Sequence, residues 1–244
     1  MISIKNVTKR FGGIVAVNDS SFSVAESSIC SLIGPNGAGK STLFNCISRV
    51  YPIDEGEIHL GNIRIDKMPA HKIATLGVGR SFQLTRVLDE LSVTENLSLH
   101  TSAGFNFHLL KAAVTKEDNE RAEQIMEFLN ITHIRDLPMK ELSYGQKKLL
   151  DLGSVLMGNP SVILLDEPAA GVNPRLLETI LERILVLKDQ GKTILLVEHN
   201  MELVMGISDK VVVMAAGSII ANGSPEEVQN NKQVLEVYLS LIHI

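Results

Sequence analysis

Apolar residues gather in short blocks over the first sixty positions, at 2–8, 22–24, 29–33 and 57–60, the last behind an Asp54-Glu55-Gly56 turn. Blocks of this length, rich in β-branched residues and bounded by polar and glycine positions, predict strands. Farther along, 161–165 is a continuous apolar run into Asp166, and 193–197 repeats the pattern after a segment, 176–188, with helical spacing. Strand, helix and strand at that distance make a βαβ unit, and strands apolar on both faces belong in a parallel sheet covered by helices. The expected fold class is α/β. Between 93 and 157 the β-branched density falls, and Ala122, Ile125, Met126 and Leu129 recur at the spacing of one helix face. That segment reads as a helical lobe with an apolar stripe for core and a solvated charged run at 116–123. A hairpin over 211–214 and 219–221 turns at Ala216-Gly217. It leads into Ser224-Pro225-Glu226-Glu227, where Ser224 caps a helix, Pro225 fits its first turn and Glu227 closes a capping box.

The 244 residues suffice for one well-buried unit, and a net charge of −5 argues against a protein that wraps nucleic acid. Cys30 and Cys46 are the only cysteines, both among apolar neighbours, so they read as buried thiols in a reducing compartment. Lys5, Lys9 and Arg10 interrupt the start, where a signal peptide needs an apolar core. The run 211–221 is broken by Gly217 and Ser218, well short of the ~18 apolar residues of a membrane span. The chain is expected in the cytosol or docked from the cytosolic side.

The strongest chemical signal is Gly34-Pro35-Asn36-Gly37-Ala38-Gly39-Lys40-Ser41-Thr42, placed between the strand 29–33 and a helical run at 43–47. A glycine-rich turn can aim successive backbone N–H groups at phosphate oxygens while the following helix presents its positive end. Lys40 then reaches the β- and γ-phosphates and the Ser41 hydroxyl completes a Mg²⁺ shell. Nucleoside triphosphate binding follows. The second signal is the strand ending in Asp166-Glu167, which exposes two acids where ligands sit in open α/β sheets. Asp166 is the expected Mg²⁺ residue, acting through water, and Glu167 the general base that orients the attacking water. No Asn-Lys-x-Asp guanine reader is present in the sequence.

Leu142-Ser143-Tyr144-Gly145-Gln146, about twenty residues before the acids, resembles the signature motif of ATP-binding cassette (ABC) ATPases, and the resemblance covers essentially the whole chain. It implies a P-loop NTPase core with an antiparallel β subdomain and an inserted helical subdomain. The whole chain, 1–244, is then one nucleotide-binding domain, with 1–92 and 158–244 as the core lobes and 93–157 as the helical subdomain. In that family two cassettes close head to tail over ATP. Ser143, Gly145 and Gln146 would face the ATP of the second cassette, Ser143 and Gly145 donating to its γ-phosphate, with a helix beginning near Gln146 behind them. Phe11 stands where the family stacks an aromatic on adenine, although a core aromatic is the alternative. Gln83, in Arg80-Ser81-Phe82-Gln83 behind a strand expected at 78–82, matches the glutamine that contacts Mg²⁺ and water. His199 matches the histidine that meets the γ-phosphate and steadies the glutamate, while His59, His71 and His133 read as ordinary surface or boundary residues. Asn173 replaces an aspartate of many relatives, and Asn173-Pro174 equally suits a helix start. Leu149 and Ser154 replace common arginines, leaving Lys147 and Lys148 either as partner contacts or as solvated charges.

Within the family, the motifs around Gly79 to Val87, Glu167 to Pro174 and Gly223 to Leu239 are similar to the LivG-like ATPases of bacterial branched-chain amino acid importers. Such importers imply a second ATPase subunit in a homo- or heterodimer, two transmembrane permease subunits and an extracytoplasmic solute-binding protein. The chain would then sit peripherally on the cytoplasmic face of the inner membrane, with a permease docking near 85–91. An ATPase of lipopolysaccharide export, whose signature usually has glycine at the position of Tyr144, is the alternative. A soluble ABC ATPase acting on nucleic acid or ribosomes is a further one, disfavoured by the acidic balance and the lack of coiled-coil inserts. No nucleic-acid partner is expected.

Overall fold

The N-terminal strands outrun their apolar blocks. In the computed structural model, which describes residues 1–81, 89–100 and 115–239, β1 (Ile2–Phe11) pairs antiparallel with β2 (Ile14–Val24) from Ile2↔Val24 to Phe11↔Ile14. The strand expected at 22–24 is therefore only the end of β2. Its earlier part was hidden by Asn18-Asp19-Ser20-Ser21, whose polar groups are consumed at register shifts in the ladder. Asp19 N–H donates to Thr8 Oγ1 (3.1 Å), Asn6 N–H to Ser21 Oγ (2.7 Å) and Asn6 Nδ2 to Asp19 Oδ1 (2.8 Å).

Next come β3 (Ile29–Ile33), α1 (Lys40–Ile47) and β4 (Glu55–Leu60). The residues expected as a turn at 54–56 run into β4, because their acids are held against β1: Lys9 Nζ donates to Asp54 (3.1 Å) and Arg10 to Glu55 (2.7 Å). Then follow β5 (Ile63–Arg64), α2 (Ala70–Thr75) and β6 (Val78–Arg80), which stops two residues before its expected end. The segment expected to be helical carries α3 (Val93–Ser98), α4 (Lys116–Phe128) and α5 (Tyr144–Met157). The chain continues through β7 (Val162–Asp166), α6 (Pro174–Asp189), β8 (Thr193–Val197), α7 (Met201–Ile207), β9 (Lys210–Ala215), β10 (Ser218–Gly223), α8 (Pro225–Gln229) and α9 (Lys232–Leu239).

Helix starts follow local side-chain chemistry. Ser92 with Glu95, Thr115 with Asp118, Ser143 with Gln146 and Ser224 with Glu227 each form a reciprocal capping box, and Asn173 and Asn200 cap α6 and α7.

Among the described residues the strands form two sheets, one in the order β2-β1-β4-β5 and antiparallel, the other in the order β10-β9-β3-β8-β7-β6. In the second sheet β9, β3, β8, β7 and β6 run parallel, and β10 is antiparallel to β9. Alternation along these strands splits the core into two layers. Ile29, Ile33, Ile163, Leu165, Ile194 and Leu196 pack with the helical segment and α6. Cys30, Leu32, Leu164, Leu195 and Val197 pack with α1 and the antiparallel sheet. Burial pushes the Cys30 thiol up to about 12 and the Cys46 thiol up to about 11, as expected of inert core thiols. Among the described residues no helix is long and apolar enough to cross a membrane.

Candidate functional site

The carboxyl ends of the parallel strands β3, β6, β7 and β8 open on one edge, and each delivers a residue there: the turn after Ile33, Ser81, Asp166 and His199. The turn from Gly34 to Gly39 holds two glycine conformations that an L side chain would not tolerate. Gly34 has φ 144° and a Cβ there would collide with the Met214 carbonyl, while Gly39 has φ 98° and would collide with the Ala16 carbonyl. The loop is thus wedged between β2 and the β9–β10 turn, whose Gly217 N–H donates to the Ala38 carbonyl (3.0 Å). Lys40, the first residue of α1, is buried, and its Nζ donates to the Gly34 (2.7 Å) and Pro35 (2.9 Å) carbonyls. Burial lowers its pKa, against the opposing pull of Glu167 and Asp166.

Opposite the loop, Glu167 adopts φ 50°, with its N–H donated to the Val197 carbonyl (2.9 Å). Its Oε1 is hydrogen-bonded to His199 Nε2 at 2.6 Å. Asn36 to Thr42, Glu167 and His199 line one cleft of about 420 Å³, together with Ile14, Val15, Ala16 and Gly217. Asp166 lies beneath it, buried, with its N–H donated to Ser81 Oγ (3.0 Å) and its Oδ2 3.7 Å from Arg80 Nη2. Burial raises the Asp166 pKa, Arg80 counters, and Glu167 and Glu198 add to the rise. Its Oδ1 is buried with no hydrogen-bond partner among the described residues. An orphaned carboxylate oxygen beside the Gly34–Thr42 turn is the acceptor a hydrated divalent cation needs, so the donor set fits Mg²⁺.

Phe11 lies outside the cleft lining, at the tip of the β1–β2 hairpin, 42% exposed and therefore not a core aromatic. Tyr51 meets its ring edge-on at 5.2 Å, and Lys9 Nζ lies 5.2 Å from its centroid. Gln83 and most of the expected permease segment, 85–88, fall outside the described residues. Ser143, Gly145 and Gln146 do not line this cleft. They open α5, which begins at Tyr144 rather than near Gln146, because Ser143 Oγ takes the Gln146 N–H (3.3 Å) and Gln146 Oε1 takes the Ser143 N–H (2.8 Å). Asn173 Oδ1 accepts the Leu176 N–H (3.0 Å), so its side chain caps α6.

Residues 17–170 match the ABC transporter family, and residues 218–239 match a branched-chain amino acid ATP-binding cassette transporter family. The chain is 38% identical to the high-affinity branched-chain amino acid transport ATP-binding protein BraF of Pseudomonas aeruginosa, and 37% identical to the corresponding LivG of Escherichia coli K12. Each similarity covers 98% of this chain and 97% of the relative. Two crystal structures of ABC transporter cassettes, one nucleotide-free and one in an ADP conformation, superpose with TM-scores of 0.89 and 0.88 at 36% identity, each covering 98% of both chains.

The chain belongs to the ABC transporter family.

As an ABC cassette it is a nucleotide-binding ATPase of membrane transport, and several residues around its cleft escaped sequence reasoning. Glu198 is buried, with one oxygen accepting the Ala169 N–H (2.8 Å) and the other the His199 N–H (3.0 Å). It clamps the loop after Glu167 to the end of β8, across 29 residues of chain. Lys148 is not simply solvated: its Nζ donates to the Glu167 carbonyl (3.0 Å) and lies 5.9 Å from the Tyr144 ring centroid. Tyr144 packs against Gly171, where an added Cβ would come within 2.9 Å of its ring. Ile14 and Val15 bring an apolar edge to the cassette's cleft, a signal masked by their place in a hairpin.

Proposed function

We propose that this cassette is the ATP-hydrolysing subunit of an importer of branched-chain amino acids or a similar small polar solute, acting from the cytoplasmic face of the inner membrane. The full-length similarity to BraF and LivG carries the solute class. Its partners are a second ABC ATPase subunit, two transmembrane permeases and, indirectly, an extracytoplasmic binding protein. In this reading residues 1–92 and 158–244 form the core lobes and 93–157 the helical subdomain.

Gly34 to Thr42 wrap the phosphates with backbone N–H groups, and Lys40 exchanges its two carbonyl acceptors for β- and γ-phosphate oxygens. Phe11 stacks on adenine. Ser41, Gln83 and Asp166 would hold Mg²⁺, which when bound neutralises charge on the β/γ-phosphate oxygens. Glu167 orients the attacking water and accepts its proton on a carboxylate oxygen, while His199 holds that carboxylate at 2.6 Å and reaches toward the γ-phosphate. Ser143, Gly145 and Gln146 serve the ATP of the facing cassette. Closure of the two cassettes changes the shape of the permeases, and hydrolysis resets them.

Reconstitution with cognate permeases, the partner ATPase and the solute-loaded binding protein tests this reading. Labelled leucine should enter vesicles only with ATP on the cassette side, and hydrolysis should rise several-fold over the isolated chain. Outward movement of lipid, or stimulation by another solute while leucine, isoleucine and valine all fail, would remove the amino acid assignment.

A further inference from the structure

Glu167 stands on main chain that needs outside support. Its φ of 50° lies in the left-handed region that residues with a Cβ rarely adopt, so the surroundings must hold it there. The peptide group on its amino side is anchored, because the Glu167 N–H donates to the Val197 carbonyl at the end of β8 (2.9 Å). The peptide group on its carboxyl side leads into Pro168, which has no N–H, so the Glu167 carbonyl is the only hydrogen-bonding group that peptide offers. Two donors meet this carbonyl. One is the Ala170 N–H (3.2 Å), a turn bond that moves with the loop itself. The other is Lys148 Nζ (3.0 Å), which reaches it across 19 residues of chain from the second turn of α5. The same helix carries Tyr144 one turn earlier, with its ring against Gly171 farther along the loop and 5.9 Å from the Lys148 ammonium. The carboxylate that meets His199 at 2.6 Å therefore projects from a residue whose following peptide has, among the described residues, one anchor outside its own loop, the lysine of α5.

We propose that Lys148 is a positioning residue for Glu167: its ammonium fixes the Glu167 carbonyl, and through it the direction of the carboxylate, so that the seating of α5 against the loop sets the rate of hydrolysis. This rests on the reading of Glu167 as the general base. Lys148 does not line the nucleotide cleft, so the effect falls on turnover and leaves ATP affinity alone. Because α5 also opens with the Ser143 and Gly145 that serve the facing ATP in the proposed dimer, one helix carries both a contact to one site and the support of the base in the other.

Lys148→Met keeps most of the aliphatic stem and removes the ammonium. On the full chain kcat should fall about tenfold, the scale of a misplaced catalytic group, while KM and the Kd for Mg-ATP stay within about twofold. Lys148→Arg, which can still donate to the carbonyl, should recover most of the lost kcat, and an Arg chain as slow as the Met chain overturns the proposal. A role in packing alone would lower the melting temperature of Lys148→Met and leave kcat within about twofold, which also overturns it. In a Glu167→Gln chain, adding Lys148→Met should cause no further loss of residual hydrolysis, because no carboxylate is left to aim. A further loss of about tenfold there would mean that Lys148 acts on something other than Glu167, and the proposal falls. Should the Met chain fold poorly, Lys148→Gln, polar but one bond shorter, is read by the same criteria. Near-normal hydrolysis by Glu167→Gln overturns the general-base reading and this proposal with it, whereas an unchanged kcat in Lys148→Met beside a full loss in Glu167→Gln overturns this proposal alone.

Discussion

Glu198→Gln is the most informative single substitution at the catalytic end of the cleft. Both carboxylate oxygens accept a backbone N–H, from Ala169 at 2.8 Å and His199 at 3.0 Å, in a side chain only 3% exposed. Glutamine has the same shape but one acceptor oxygen, so whichever way its amide is turned, its NH₂ faces one of the two N–H groups. A buried donor left without a partner costs about 1–3 kcal/mol, and the remaining bond loses its charge assistance. Removing the charge brings some relief, because Glu198 adds to the acidic crowding that raises the Asp166 pKa. The net loss is roughly 1–3 kcal/mol, which for a chain of this size lowers the melting temperature by about 2–12 °C. The lost bond also frees either the Ala169 or the His199 main chain, so the Glu167–His199 pair is no longer preset at 2.6 Å. Steady-state hydrolysis should therefore fall through kcat, about tenfold or more for a misplaced general base, while the Kd for ATP stays near its original value. Differential scanning calorimetry and hydrolysis against ATP concentration read both effects. A melting temperature within about 1 °C of the unsubstituted chain, with kcat within twofold, would refute the clamp.

Two further substitutions separate binding from chemistry. Glu167→Gln keeps the side-chain shape but removes the carboxylate proposed as base, so ATP binding should persist while turnover falls at least ~100-fold and an ATP-bound dimer accumulates on size-exclusion chromatography. Near-normal hydrolysis would shift suspicion to His199. Asp166→Asn should abolish Mg²⁺-dependent hydrolysis yet melt higher at neutral pH. Burial raises the Asp166 pKa in the folded chain, so ionisation opposes folding, and that opposition builds as pH rises past the unfolded value and is complete above the folded one. The gain from Asn should accordingly vanish in strong acid, and a lower melting temperature at pH 7 would mean that the Arg80 ion pair outweighs the cost of burial.

What could be read from the chain and what could not divide along a physical line. Gly34 to Thr42, the strand into Asp166-Glu167 and the Ser224 capping box are contiguous, so each chemical requirement is met by neighbours in sequence and leaves a pattern there. Strand β2 failed this test because its polar run Asn18 to Ser21 resembles a turn until β1 lies beside it and absorbs the side chains. The capping box at Ser143 obeys the same rule as that at Ser224, and it starts the helix expected near Gln146 at Tyr144. Glu198 and Lys148 form a different class. Each makes a hydrogen bond to main chain brought near only by folding: Glu198 accepts from the Ala169 N–H, and Lys148 donates to the Glu167 carbonyl. Main-chain acceptors and donors carry no residue identity, so such contacts impose no pattern on the partner position and cannot be found by scanning for pairs of residue types. Yet both converge on one segment that the motifs mark, the backbone of Glu167 and the loop that follows it. Lys148 also links the signature helix to that backbone, so a shift of α5 relative to β7 strains the Glu167 carbonyl directly. In the proposed mechanism the motifs supply the reactive groups, and residues without a motif, Glu198 and Lys148, hold the backbone from which Glu167 and His199 project.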